Sequence, residues 1–224
     1  MKIVNLRVDL SIMLKIFQTL CLSALFVHTT FAQDSDADFS LVKHDDRIYV
    51  YERWITFPKS QPPIRAREVK GEFKITSTIS AAVALLKNEK RIKDWQDHVT
   101  EFKVYPSNDS TTWREYSYHD IPWPVSDQDH FLEYKIDPVS TPERMFITFE
   151  SIIDDSLAPE REDVTRMKLS GSWLIEKTGE GKIKVSYRIL SKPIGIPRIF
   201  TDPVIRNNIM TTIRRYMEIL EGKR

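Results

Sequence analysis

The stretch 119-HDIPWPVSDQD-129 decides how this chain is read. Pro122 and Pro124 bracket Trp123, and their rings lock φ at about −65°. Each also pushes the residue before it toward extended backbone, so no helix runs through here. On either side, 112–118 and 130–136 are rich in aromatic and β-branched residues with rough alternation, the pattern of strands. The segment is therefore a stiff, aromatic, acid-tipped connection between two strands.

Working outward, 47–56 and 68–76 also read as strands, separated by a loop punctuated by Pro58, Pro62 and Pro63. Ser77, Thr78 and Ser80 offer N-caps to a helix over 81–87 that buries Val83, Leu85 and Leu86. A second short helix, 89–95, places Ile92 and Trp95 on one face. Strands 99–105 and 112–119 flank the turn signal 107–110. Strands 130–136 and 144–152 flank 138–142. Strands 167–176 and 182–190 flank Thr178-Gly179-Glu180-Gly181, a hairpin signal. The acidic stretch 154–163 carries Pro159 and reads as a loop.

The last element is a long helix from Pro203 to Glu221. Asp202 is its expected cap and Pro203 its first residue. Ile205, Ile209, Ile213, Met217 and Leu220 recur at three- and four-residue spacing with Met210 beside them, an apolar stripe. Arg206, Arg214 and Arg215 take the other, solvated side. Strands, two short helices, many antiparallel strands and one long helix make an α+β plan.

The N-terminus is a separate object. Lys15, the apolar run 16–27 and Thr30-Phe31-Ala32 follow the plan of a secretory signal peptide, expected to be cleaved after Ala32. The run falls short of the about 20 apolar residues that span a bilayer, and an uncleaved anchor is the alternative. Translation starts at Met1 or Met13. Removing residues 1–32 takes away Lys2, Arg7, Lys15, Asp9 and Cys21, the chain's one cysteine. It leaves a single domain of 192 residues with net charge −1. That domain has no disulfide, thiolate nucleophile or cysteine-held metal. Nothing in its charge points to nucleic acid, and no membrane span remains after cleavage. The expectation is an exported, periplasmic or secreted monomer.

The quoted stretch resembles a motif of bacterial START-like (StAR-related lipid transfer) proteins of the SRPBCC superfamily: Pro-Trp-Pro-Val, a small residue, then Asp-Arg-Asp. Pro122, Trp123, Pro124, Val125, Ser126, Asp127 and Asp129 match, and Gln128 replaces the arginine. The resemblance extends to Ile48 to Tyr51 as a first strand, Ala81 to Asn88 with Trp95 as a helix pair, and Gly171-Ser172-Trp173 in a late strand. Pro197-Arg198-Ile199-Phe200 resembles the family's entry to its last helix. It implies the helix-grip fold, a curved antiparallel β-sheet wrapped around the C-terminal α-helix, with two short helices after the second strand. It also implies an apolar cavity between sheet and helix.

Strand alternation offers an inward set for that cavity: Tyr116, Tyr118, Leu132, Tyr134, Ile147, Phe149, Trp173, Val185 and Tyr187. Ile209, Met210, Ile213 and Met217 would face it from the helix. The leading expectation is a non-enzymatic carrier or sensor of a lipid or other hydrophobic small molecule, with no cofactor. A cyclase- or dehydratase-like enzyme of the same superfamily and a scaffold with a filled core are the alternatives. No two histidines have zinc-site spacing. His119 with Asp120 and His130 with Asp129 are candidates to bind a metal or act as acid and base, against the alternative of loop-edge residues that are hydrogen-bonded or solvated. Asp127 and Asp129 read either as an acid pair at a pocket mouth or as turn carboxylates accepting backbone N–H bonds.

Overall fold

The computed structural model describes residues 38–57, 64–121, 126–191 and 198–224. The signal segment, the loop prolines after Phe57, the Pro122–Val125 core of the motif with Trp123, and Pro197 lie outside the described residues.

β1 (Ser40–His44), β2 (Ile48–Phe57) and β3 (Ile64–Thr76) are followed by α1 (Ile79–Leu86) and α2 (Ile92–Trp95). Then come β4 (Val99–Pro106), β5 (Thr112–His119), β6 (Gln128–Ile136), β7 (Arg144–Ser151), β8 (Thr165–Arg166), β9 (Leu169–Gly179) and β10 (Lys182–Ser191). α3 (Arg198–Leu220) ends the chain. The strands form one sheet in the order β1-β2-β3-β10-β9-β7-β6-β5-β4, antiparallel throughout, with β8 beside β6 in parallel. This is the helix-grip plan.

Three elements differ from the sequence reading. An edge strand, β1, precedes the expected first strand, so the two short helices follow the third strand. β1 is largely exposed and carries little apolar alternation. Its link to β2 turns on Asp45, whose Oδ1 accepts from the backbone N–H of Arg47 and of Ile48, both at 2.9 Å. β8 is only two residues long. α3 begins at Arg198, so Pro203 lies inside it and removes one backbone donor. Asp202, expected as the cap, instead accepts from Arg67 Nη1 at 3.0 Å.

α1 is capped as its sequence implies: Thr78 Oγ1 accepts from Ala81 N at 3.1 Å. Its Ala82, Leu85 and Leu86 are buried, as are Ile92 and Trp95 of α2. Antiparallel partners share a face of the sheet, and this builds the core in rows. Ile48, Phe73, Val185 and Ile175 form one row, and Val50, Gly71, Tyr187, Trp173 and Ile147 the next. The lower half of α3 lies on them, with Ile213, Tyr216 and Met217 essentially inaccessible. Burying a side chain of that size contributes about 1.5–3 kcal/mol. Tyr216 Oη also donates to the Ala82 carbonyl at 2.6 Å, tying α3 to α1. Gly71 permits the approach, since a Cβ there would collide with Ile213 Cδ1.

Candidate functional site

Toward the front of α3 the space over the sheet is not filled. Between the sheet and the front half of α3 lies a pocket of about 620 Å³. Its floor is Val69, Leu132, Tyr134, Phe149, Trp173, Tyr187 and Ile189. Its roof is Ile205, Asn208, Ile209 and Thr212, which share one face of α3, and Trp95 and Leu86 close one side. The segment 165–169 closes another. Small-molecule sites typically occupy about 300–1,000 Å³, and here the apolar walls alternate with polar and charged side chains, among them Arg67, Asp97, Glu115, His119, His130, Arg166 and Lys168.

Of the residues expected to line such a space, Leu132, Tyr134, Phe149, Trp173, Tyr187 and Ile209 do so. Ile147, Val185, Met210, Ile213 and Met217 are buried in the adjoining core instead. Ile213 sits over Gly71, where the helix is drawn down onto the sheet. Tyr116 and Tyr118 lie on the opposite face of the sheet. Tyr116 pairs with Phe131 across the β5–β6 ladder and packs with it and Ala158 in a second small core. The residues of β5 that face the pocket side are Trp113, Glu115, Ser117 and His119, opposite Tyr134, Leu132, His130 and Gln128.

That register carries a polar cluster into the pocket wall. Glu115 Oε1 accepts from Tyr134 Oη at 3.1 Å and lies 3.4 Å from His130 Nε2. His130 and His119 stand with ring centroids 5.3 Å apart, and Ser117 Oγ is 3.1 Å from His119 Nε2. Both imidazoles were weighed as loop-edge groups, but they belong to β5 and β6 and line the pocket. Burial pushes the Glu115 carboxyl up to about 8, against the hydrogen bond from Tyr134. Burial brings His130 down to about 4 and, with the neighbouring His130 and His98, brings His119 down to about 3. Burial also raises the Tyr134 and Tyr187 hydroxyls. At neutral pH the cluster is thus a mainly protonated carboxyl, two neutral imidazoles and two phenols.

Several charged groups at the site are paired. Glu52, on β2, accepts from Arg67 of β3 and from Arg206 Nε and Nη2 of α3, both at 2.9 Å. Burial pushes the Glu52 carboxyl up, but these two guanidiniums outweigh it and hold it below the usual range. The network fastens the front of α3 over the pocket. Arg214 and Arg215, read as solvated, likewise pair with Asp45 (2.8 Å) and with Asp97. Asp129 is buried and takes a two-pronged bond from Arg166, at 2.6 and 3.0 Å, plus the Tyr116 hydroxyl at 3.1 Å. Asp127 accepts the Ile121 N–H at 3.0 Å, the structural role weighed for it. Among the described residues no group of three or more His, Cys, Asp or Glu is gathered to hold a metal.

A sheet of this order with a long C-terminal helix on it defines the START-like helix-grip fold, and comparison with known proteins agrees. A StAR-related lipid transfer protein from Xanthomonas axonopodis superposes with a TM-score of 0.67 at 20% identity, over 82% of this chain and 98% of that one. Human StAR-related lipid transfer protein 5 gives 0.68 at 11% identity, over 95% and 96%. An aromatase/cyclase from Streptomyces gives 0.51 at 10% identity, over 70% and 94%. In sequence, an uncharacterised protein of Pseudomonas aeruginosa is 24% identical over 179 residues, 79% of this chain and 84% of the relative. No family model matches the chain.

Proposed function

We propose that this chain is an exported binding protein for a lipid or other hydrophobic small molecule, held in the pocket under α3. The observation that carries the reading is that pocket: about 620 Å³ left open beside a core that is otherwise packed. Val69, Leu132, Phe149, Trp173, Ile189 and Ile209 offer it apolar walls. Burial of apolar ligand surface against them drives binding at about 25 cal/mol per Å². The likeness to two StAR-related lipid transfer proteins supports the same reading. The signal-peptide plan of residues 1–32 supports export. Mass spectrometry of organic extracts of protein purified from its own cells tests the proposal. A stoichiometric hydrophobic molecule is expected. Extracts without one, together with no binding of hydrophobic fluorescent probes, would reject it.

One observation favours a second reading. A protonated carboxyl and two neutral imidazoles in a pocket wall are what acid–base chemistry on a bound apolar substrate would use. The fold does not choose between the two. The extraction does: a carrier returns its ligand unchanged after incubation, and an enzyme returns a product.

A further inference from the structure

β4 ends the sheet, and among the described residues no strand pairs with its outer edge. Its ladder with β5 runs without a break from Glu101 to Pro106. Along such a strand the backbone groups of successive residues point alternately toward the partner and away from it. The Val104 N–H points away, since it donates to Glu89 Oε1 at 2.6 Å. Phe102, two residues earlier, therefore presents its N–H and C=O on the same free edge. Glu89 lies in the turn between α1 and α2, and its carboxylate stands where the carbonyl of a further strand would stand.

A cleft of about 450 Å³ follows this edge, separate from the pocket under α3. Glu89 and Lys93 line it from the helix side of the sheet. Leu157 and Arg161 line it from the opposite face, where Tyr105 and Tyr116 lie. The acids here are engaged. Glu101 accepts from Arg161 Nη1 and Nη2 at 2.8 and 2.7 Å, and Glu89 accepts the Val104 N–H. The two lysines of the cleft, Lys93 and Lys103, enter no ion pair among the described residues. Lys103 stands opposite Tyr116 on the outer face, with its ammonium 4.8 Å from the centre of the Tyr105 ring.

We propose that the free edge of β4 is a docking site for a partner peptide that adds as an extended strand and carries acidic side chains. The proposal does not depend on what the pocket under α3 holds. Main-chain bonds to Phe102 and Val104 supply the affinity, and the side chains on either side supply the choice of partner. Alternate side chains of the added strand stand on the outer face beside Lys103, where a carboxylate completes an opposite-charge pair. Glu89 is the gate. It holds the Val104 N–H and repels an acidic strand until that strand's own carbonyl takes its place, which also protects the edge from indiscriminate pairing.

Fluorescence anisotropy tests this with a labelled peptide of about six residues that alternates glutamate and valine, long enough to follow the edge from Thr100 to Tyr105. It is expected to bind about tenfold more tightly than the matching lysine–valine peptide. Methylating its alternate backbone nitrogens, which removes ladder donors, should abolish binding. Glu89→Ala should tighten binding about two- to tenfold, the return of one backbone hydrogen bond. Lys103→Glu should weaken it about tenfold. Equal binding of the acidic and basic peptides overturns the choice of partner. Undiminished binding of the methylated peptide overturns strand addition. No binding to either wild type or Glu89→Ala overturns the site. If Glu89→Ala dimerises without peptide in sedimentation, the edge takes a second copy of this chain and the acidic partner is wrong.

Discussion

Glu115 holds a proton that it would give up in an unfolded chain, and this has a measurable sign. Its folded pKa, about 8, is raised above the ordinary carboxyl value. The stability it contributes is therefore complete at acid pH and lost as pH rises to and through about 8. The two buried histidines act oppositely. Their folded pKa values are lowered to about 3 and about 4, so their contribution is present above about pH 6.5 and lost as pH falls. From about pH 7 to 9 only the Glu115 slope remains of the three. Glu115→Gln keeps the shape and the uncharged state. Denaturant titrations at about pH 7 and about pH 9 should show the wild type losing stability relative to this variant. Parallel behaviour of the two proteins would mean that Glu115 is already ionised when folded.

At the scale of elements, α3 has two halves with two duties. Ile213 sits over Gly71 in a packed region, and Ile209 one turn earlier looks into open space. Ile213→Trp overpacks and should cost roughly 1–3 kcal/mol or more. Ile209→Trp should instead fill the pocket, weaken probe binding at least tenfold and leave the melting temperature close to wild type. Comparable destabilisation by both changes would mean that the pocket is not open. The front half of the helix is tied down by Glu52. Removing that carboxylate strands Arg67 and Arg206, so Glu52→Ala should lose roughly 3–5 kcal/mol, read by chemical denaturation. The existence of these elements was legible because the α3 stripe and the strand alternations are long and regular. The inward face of β5 was not. Tyr116 and Tyr118 are the more apolar set, and apolar residues are expected inside. Yet the ladder pairs Glu115 with Leu132 and Tyr116 with Phe131. The connection from His119 to Gln128 is too long to fix a register, and a slip of one residue exchanges the two faces. With Leu132 and Tyr134 inward, only the pairing could have turned Glu115 and His119 inward too. The Glu52 network was equally hidden, because residues from β2, β3 and α3 meet only after folding.

For the whole molecule, the export expectation is testable apart from the fold. Amino-terminal sequencing of protein from its own cells should begin at Gln33, and full-length protein in the cytoplasm would reject cleavage. The sheet order adds a constraint on when folding happens. β3 is paired on one side by β2 and on the other by β10, with Thr76 opposite Lys182 and Arg67 opposite Ser191. The centre of the sheet is thus stitched from opposite ends of the chain, a non-local pairing that is slow to form. A version ending at Glu180 lacks both β10 and α3, and should show no cooperative melt. On the ribosome, β3 has no strand on its β10 side, and α3 is missing from the apolar face, until nearly the last residues emerge. The fold therefore cannot close until synthesis is nearly complete.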